Sequence, residues 1–320
     1  MADRTILLCL NEVERAAQLI AAARQLGVKF KAHISALYVI PGVQVYPSDG
    51  MGMSAGVFDG TRNYFLGHLP KIRADFEAAM KADSLISDLR VVDSSQPNVA
   101  TDVIENSRNV DLLVVSATNR EKGNSVESDF VEQVVLAAGR PVLILPFNGN
   151  AEIKFDVVML GWNDSREASR ATFDGLPFMK HSKRTKIVTV DVSPGGPIAG
   201  ANIAETLDRD GVKCEIVSVA SGGKNPGETL LLAAQDHGAG LLVLGAYGHI
   251  RLTEWIFGGA TQYVLHHLDR PVLMSHKLNV GLLLCGKRPI LSSAIESKSL
   301  GSLLILLCQC LNHKFCSGFC

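Results

Sequence analysis

The strongest constraint on this chain is that it repeats itself. Asp111-Leu112-Leu113-Val114-Val115-Ser116-Ala117, closed later by Arg140-Pro141-Val142-Leu143-Ile144-Leu145-Pro146, returns as Gly240-Leu241-Leu242-Val243-Leu244-Gly245-Ala246, closed by Arg270-Pro271-Val272-Leu273-Met274. The starts correspond as well: residues 6–11 and Glu12-Val13-Glu14-Arg15-Ala16-Ala17 parallel residues 157–163 and the run from Asp164 to Ala171. Repeats this long mark duplicated domains, since solenoid units are about 20–50 residues. At 320 residues the chain suits two domains of roughly 100–200 residues each. A polar linker at 147–152 sets the boundary, giving a first copy at 1–149 and a second at 153–277. Residues 278–320 have no counterpart after the first copy.

Within each copy short apolar runs alternate with helical patterns. Strands are expected at 5–10, 31–40, 89–92, 111–116 and 142–145, with helices at 13–26, 63–82, 99–107 and 130–137. The second copy repeats this with strands at 156–161, 185–192, 213–220 and 241–245 and helices at 165–180, 200–210 and 226–237, the last marked by Asn225 as N-cap, Pro226 and Glu228. Such alternation implies an α/β fold: parallel open sheets with helices on both faces. Residues 43–61, containing glycines and methionines, read as a mobile loop rather than a site.

The balance of charges, net −1 with a pI near 6.8, gives no basic excess to attract nucleic acid. The amino terminus shows no signal-peptide pattern, so the expected location is cytoplasmic, with no membrane partner. Cys9 and Cys214 lie in apolar runs and read as inert core thiols. In the tail, Leu303 to Leu307 is too short an apolar segment for the roughly 20 residues of a membrane span. Cys308, Cys310, His313, Cys316 and Cys320 lack the paired spacing of a zinc site; an extension with no evolved fold is the alternative. No metal site is expected.

Leu241 to Gly248 reads as a buried strand ending in glycine, and Gly258-Gly259-Ala260-Thr261 opens the next helix. Gly245 and Gly248 are expected to adopt positive φ and admit a phosphate where a Cβ would obstruct it. The N–H groups of Gly258, Gly259, Ala260 and Thr261 and the Thr261 hydroxyl could then hold phosphate oxygens. A helix dipole contributes about 0.3–1 kcal/mol, against about 1.5–3 kcal/mol for each hydrogen bond to a charged group; loop geometry must dominate. No lysine follows the loop as in Walker-type loops, and no Ser–His–Asp or paired-carboxylate arrangement is evident. His249, His266 and His267 are poor candidates for general bases, and Arg251 could face phosphates or solvent.

Gly245-x-x-Gly248, then nine residues, then Gly258, resembles the ATP-binding signature of the universal stress proteins, and two copies in one chain resemble its tandem bacterial members. The resemblance runs from Thr5 to about His276 and excludes the tail. It implies five-stranded parallel sheets in the order 3-2-1-4-5, meeting through their last strands as an intramolecular pseudo-dimer, with a homodimer as a further possibility. It implies ATP or AMP as ligand, with or without magnesium. Gly161, Asn163 and Val192 would face the base, and Gly245, Gly248, Gly258, Gly259, Ala260 and Thr261 the phosphates. Two departures matter: the family's usual Ser or Thr after the third glycine is Gly259 here, and its Asp-Gly-Ser is Asn163-Asp164-Ser165. Asn163 can replace the acid, or Asp164 or Ser165 can simply cap a helix. The first copy has Ser116-Ala117-Thr118-Asn119 and then Glu127-Ser128-Asp129-Phe130 where glycines are needed, so it is expected to bind no nucleotide. The expected function is nucleotide-occupancy signalling in the stress response. Rivals are a ligand-free interaction module and a slow ATP hydrolase or autophosphorylating enzyme with Thr261 or Ser165 as acceptor.

Overall fold

The computed structural model describes residues 4–42, 56–119, 126–148, 152–192, 198–248 and 259–276, with backbone alone at 56–59. The tail of the sequence, with its cysteines, lies outside the described residues.

The first copy runs β1 (Thr5–Cys9), a tight helical turn (Val13–Arg15), α1 (Ala16–Phe30), β2 (His33–Ile40), α2 (Gly56–Ala82), β3 (Ser87–Asp93), α3 (Val99–Ser107), β4 (Leu112–Ser116), α4 (Phe130–Ala137) and β5 (Val142–Leu145). The second runs β6 (Val157–Gly161), α5 (Arg166–Lys180), β7 (Arg184–Val190), α6 (Ala201–Arg209), β8 (Cys214–Val219), α7 (Pro226–Asp236), β9 (Leu241–Gly245), α8 (Gly259–His266) and β10 (Val272–Ser275). The strands form one open sheet in the order β3-β2-β1-β4-β5-β10-β9-β6-β7-β8. Each half is parallel, in the 3-2-1-4-5 order. The halves join through an antiparallel pair in which Val272, Leu273 and Met274 face Ile144, Leu143 and Val142.

Alternation along the strands explains why helices cover both faces. Ile6 and Leu8 belong to a layer under α1, α2, α5 and α6, whereas Leu7 and Cys9 belong to one under α3, α4, α7 and α8. Successive strand side chains point to opposite sides, and strands buried on both sides are apolar throughout. Each layer draws residues from both copies, so neither half of the sheet has a private core. Away from the strands, the Gln25 side chain clamps the start of the second copy, donating to the Ile153 carbonyl at 2.7 Å and accepting from its N–H at 3.2 Å. The Phe30 ring meets Phe155 and Phe178 edge-on.

One reading needs correction. The helix expected at 63–82 begins at Gly56, so the last part of the presumed 43–61 loop is helical, and 43–55 lies outside the described residues. Gly60 and Gly67 lie within this helix, and a Cβ at either would meet nothing. They are exposed helix positions costing about 1 kcal/mol each in propensity, which the buried stripe of Phe65, Ile72, Phe76 and Met80 offsets. Both described cysteines have suppressed ionisation: burial pushes the Cys9 thiol up to about 12 and the partly buried Cys214 thiol up to about 11.

Because both layers span the junction, Leu273→Ala should destabilise residues of both copies together. The expected cost is about 2–5 kcal/mol, with urea unfolding remaining a single transition by circular dichroism and tryptophan fluorescence. Two separated transitions in the wild type would show that the halves unfold independently.

Candidate nucleotide site

The chain reverses its direction of winding between β6 and β9. From β6 it proceeds through β7 to the edge strand β8, then returns to place β9 on the other side of β6. Crevices beyond the carboxyl ends of strands at such a switch point are where open α/β sheets take ligands. Helices α5 and α8 follow β6 and β9 and begin at this end, on opposite faces of the sheet.

The glycines of the β9 loop are required for a different reason from the expected one. Neither Gly245 nor Gly248 has left-handed backbone; the left-handed residue is Tyr247, at φ +58°. Gly245 is instead pressed against the first turn of α5, where a Cβ would stand 2.4 Å from the Ala168 nitrogen and from the Glu167 carbonyl carbon. Real Cβ atoms do not approach backbone so closely, so Gly245 sets how deeply α5 seats against β9. The Tyr247 N–H donates to the Thr261 hydroxyl at 3.2 Å, tying the loop to the start of α8. Thr261 is buried and its oxygen thus braces the loop, leaving its proton as the group that could reach a ligand.

At the start of α8, Gly227 of α7 lies so close that a Cβ there would fall 2.4 Å from the Ala260 carbonyl oxygen. Asn225 caps α7 by accepting from the Gly227 N–H at 2.8 Å, and its amide donates to the Gly259 carbonyl at 3.4 Å. Gly259 itself is unconstrained: a Cβ would make an ordinary 3.5 Å contact with Asn225. Gly258, His249 and Arg251 lie outside the described residues. His266 sits 3.8 Å from Glu132 of the first copy, and His267 stacks on Tyr263, so both are taken up in packing around α8.

The base side is more dispersed. Gly161 is a packing glycine, since a Cβ would meet Leu244 at 2.4 Å. Asn163 is exposed and its side-chain oxygen accepts from the Ser165 N–H at 3.3 Å. Ser165 is the N-cap of α5, accepting from Ala168 at 3.1 Å. Asp164, between them, is forced to φ +56°. The capping function of this tripeptide is therefore realised in full. Val192 lies two residues past the end of β7 and is 38% exposed; no hydrogen bond among the described residues ties it to the glycine loop.

The residue that sequence reasoning missed is Glu167. It is 8% exposed, and its Oε2 stands 3.1 Å from the position a Cβ on Gly248 would take, with the Ser165 hydroxyl 3.7 Å from the same point. An acidic residue in the first turn of a helix is ordinary, so nothing in the local pattern set it apart. Only the close seating of α5 brings its carboxylate to the glycine loop. A carboxylate and a phosphate charge about 5 Å apart repel by roughly 3 kcal/mol at an effective dielectric near 20.

In the first copy the same place is occupied by the chain itself. Asn11, fully buried, donates to the Val39 carbonyl at 2.7 Å and accepts from its N–H at 3.0 Å, sealing the gap between β1 and β2. Asn163, its counterpart, makes no such bond. Ser116 to Asn119 replace the loop glycines, and the Glu127 carboxylate accepts from the Val99 N–H at the start of α3. Burial raises the Glu127 pKa above the ordinary carboxylate range, against amide hydrogen bonds that lower it. Asp129 stands at the N-cap of α4 but makes no side-chain cap bond. A cavity of about 260 Å³ beside this loop is lined by Ala117, Thr118, Glu132 and Phe147, and by Leu265 and His266 from α8.

The architecture defines a class: an α/β protein whose two parallel halves join through their last strands into one open sheet. Residues 180–276, the greater part of the second copy, match the Universal stress protein family. Among solved structures, a universal stress protein from Archaeoglobus fulgidus aligns at a TM-score of 0.63 with 16% identity, covering 86% of this chain and 97% of that one. Single-domain neighbours include a universal stress protein from Lactobacillus plantarum (20% identity, 39% of this chain and 99% of that one, TM-score 0.27) and a family member from Burkholderia pseudomallei (21%, 38% and 95%, 0.26). A search of curated proteins finds no match.

Two substitutions test this geometry. Asp164→Gly should raise stability by about 0.5–1 kcal/mol by relieving left-handed backbone, net of the added freedom of the unfolded chain; a fall in the urea midpoint would contradict it. For Glu127, the folded pKa lies above the unfolded value of about 4.3, so the native state binds more protons between the two and stability falls as pH rises through that window. The urea stability of wild type relative to Glu127→Gln should therefore rise as pH is lowered from neutral towards that value and level off below it.

Proposed function

We propose that the second copy binds an adenine nucleotide, ATP or AMP, at the switch point between β6 and β9, and that occupancy of this site is the signal of a cytoplasmic stress-response protein. The observation that carries the reading is the joining of loop and helix: the Tyr247 N–H held by Thr261, with Gly259 open in front of α8. Amide groups at a helix start, approached over glycine, are suited to phosphate oxygens. The first copy, with Asn11 and Glu127 turned inward, serves as the structural half of an intramolecular pseudo-dimer. Among the described residues no helix is long and apolar enough to cross a membrane.

Gly259 supplies the sharpest test. Its surroundings have room for a side chain, so Gly259→Ser should fold as wild type and add one donor towards phosphate, a gain of about 1.5–3 kcal/mol, or roughly tenfold or more in ATP affinity by calorimetry. Nucleotide should also be released when the purified wild type is denatured. If none is released and ATP produces neither heat of binding nor a thermal shift, the protein is a ligand-free interaction module. ADP accumulating faster than in a Gly258→Val control would favour the slow hydrolase.

A further inference from the structure

We infer that Glu167 makes the second-copy site selective for a nucleotide complexed with a divalent cation, the carboxylate serving as a protein ligand to that cation. The inference rests on the nucleotide reading above and adds the form in which the nucleotide is taken. The observation behind it is a carboxylate where an anion site should have none. Glu167 is more than nine-tenths buried, and its Oε2 abuts Gly248 at the far end of the loop that Gly245 opens. Neither a hydrogen bond nor an ion pair of its carboxylate occurs among the described residues, although Arg166 and Arg170 flank it in sequence.

The placement is imposed by the backbone. Gly245 lets the Glu167–Ala168 peptide approach β9, and Ser165, by capping α5 through Ala168, fixes the turn from which Glu167 projects. The backbone position from which the carboxylate projects is therefore set by the seating of the helix. A naked polyphosphate entering over Gly248 would meet a buried like charge. A divalent cation between them reverses the sign of the interaction. Magnesium suits this arrangement, because it is usually held by one or two carboxylates together with phosphate oxygens and retained waters rather than by an all-protein cage. Among the described residues no group of three or more His, Cys, Asp or Glu side chains is placed to hold a metal by itself, so the cation would arrive with the nucleotide. The first copy shows the contrast: its inward carboxylate, Glu127, is taken by the Val99 amide and is not available to a cation in the same way.

The test is calorimetric titration of the full-length chain with ATP, in magnesium and in EDTA, for wild type and Glu167→Gln, with circular dichroism confirming the fold of both. Wild type should bind magnesium–ATP tighter than metal-free ATP by on the order of tenfold or more. Glu167→Gln should lose that preference and bind metal-free ATP more tightly than wild type does. A second measurement does not depend on the variant: manganese added to wild type with ATP should enhance water-proton relaxation beyond manganese–ATP alone and selectively broaden methyl resonances of Ala168. Equal binding with and without metal by wild type, or an undiminished metal preference in Glu167→Gln, overturns the assignment of Glu167 while leaving nucleotide binding intact. Failure of both proteins to bind ATP under either condition overturns the nucleotide reading and this one with it.

Discussion

The antiparallel pairing of β5 with β10 is the contact on which the rest of the molecule depends. Each strand is only four residues long and too short to stand alone, yet every residue is buried. Pairing them completes a hydrogen-bond ladder that would otherwise end in two exposed edges beside the two apolar layers. The remaining edges, β3 and β8, lie at the far ends of the sheet and carry charged residues, Asp88, Arg90 and Glu215, in the manner that discourages further strand addition. Joining through the last strands also leaves the β6–β9 boundary inside the sheet, two strands from the junction, with both helix-bearing faces covered.

From that arrangement the site follows by geometry. The change of winding direction leaves a crevice beyond β6 and β9, and two helices start beside it. How much room remains depends on α5, and the depth of α5 depends on the missing Cβ of Gly245. The same close approach that shapes the loop delivers Glu167 to it. A substitution in the packing of α5 would therefore alter the electrostatics of the crevice as well as its shape, and the two effects cannot be separated by looking at the loop alone.

The fold was legible because its signals are periodic and occur twice. Helices at 99–107 and 130–137 and the strand at 142–145 coincide with the observed elements, since apolar runs bounded by Asn98, Gly139 and Pro141 leave little choice of ends. Asn225 and Pro226 announce α7 for the same reason. What was not legible depends on contact across the chain. Gly245 looks like a flexible loop glycine in sequence, and its true constraint, the α5 backbone, is 77 residues away. Tyr247, a bulky residue, gave no hint of left-handed backbone, which the Thr261 hydroxyl helps to hold. Asn11 and Asn163 occupy matching positions in the two copies, but one is buried against Val39 and the other exposed, a difference set by neighbours rather than by their own identity.

Duplication gives each copy a control for the other. Both halves carry a buried or partly buried carboxylate near the carboxyl ends of their central strands, Glu127 in the first and Glu167 in the second. In the first copy the Val99 amide meets the carboxylate, whereas the corresponding helix start in the second is Pro226, which has no N–H to give. A helix-start proline thus removes the donor that would quench an inward acid, and Asn225 uses its side chain to bind Gly227 and Gly259 instead. The acid of the second copy comes from α5 on the opposite face, where no amide among the described residues donates to it. The proposed difference between the copies then has one physical basis: whether the protein supplies its own partner for a carboxylate, or leaves that to a ligand.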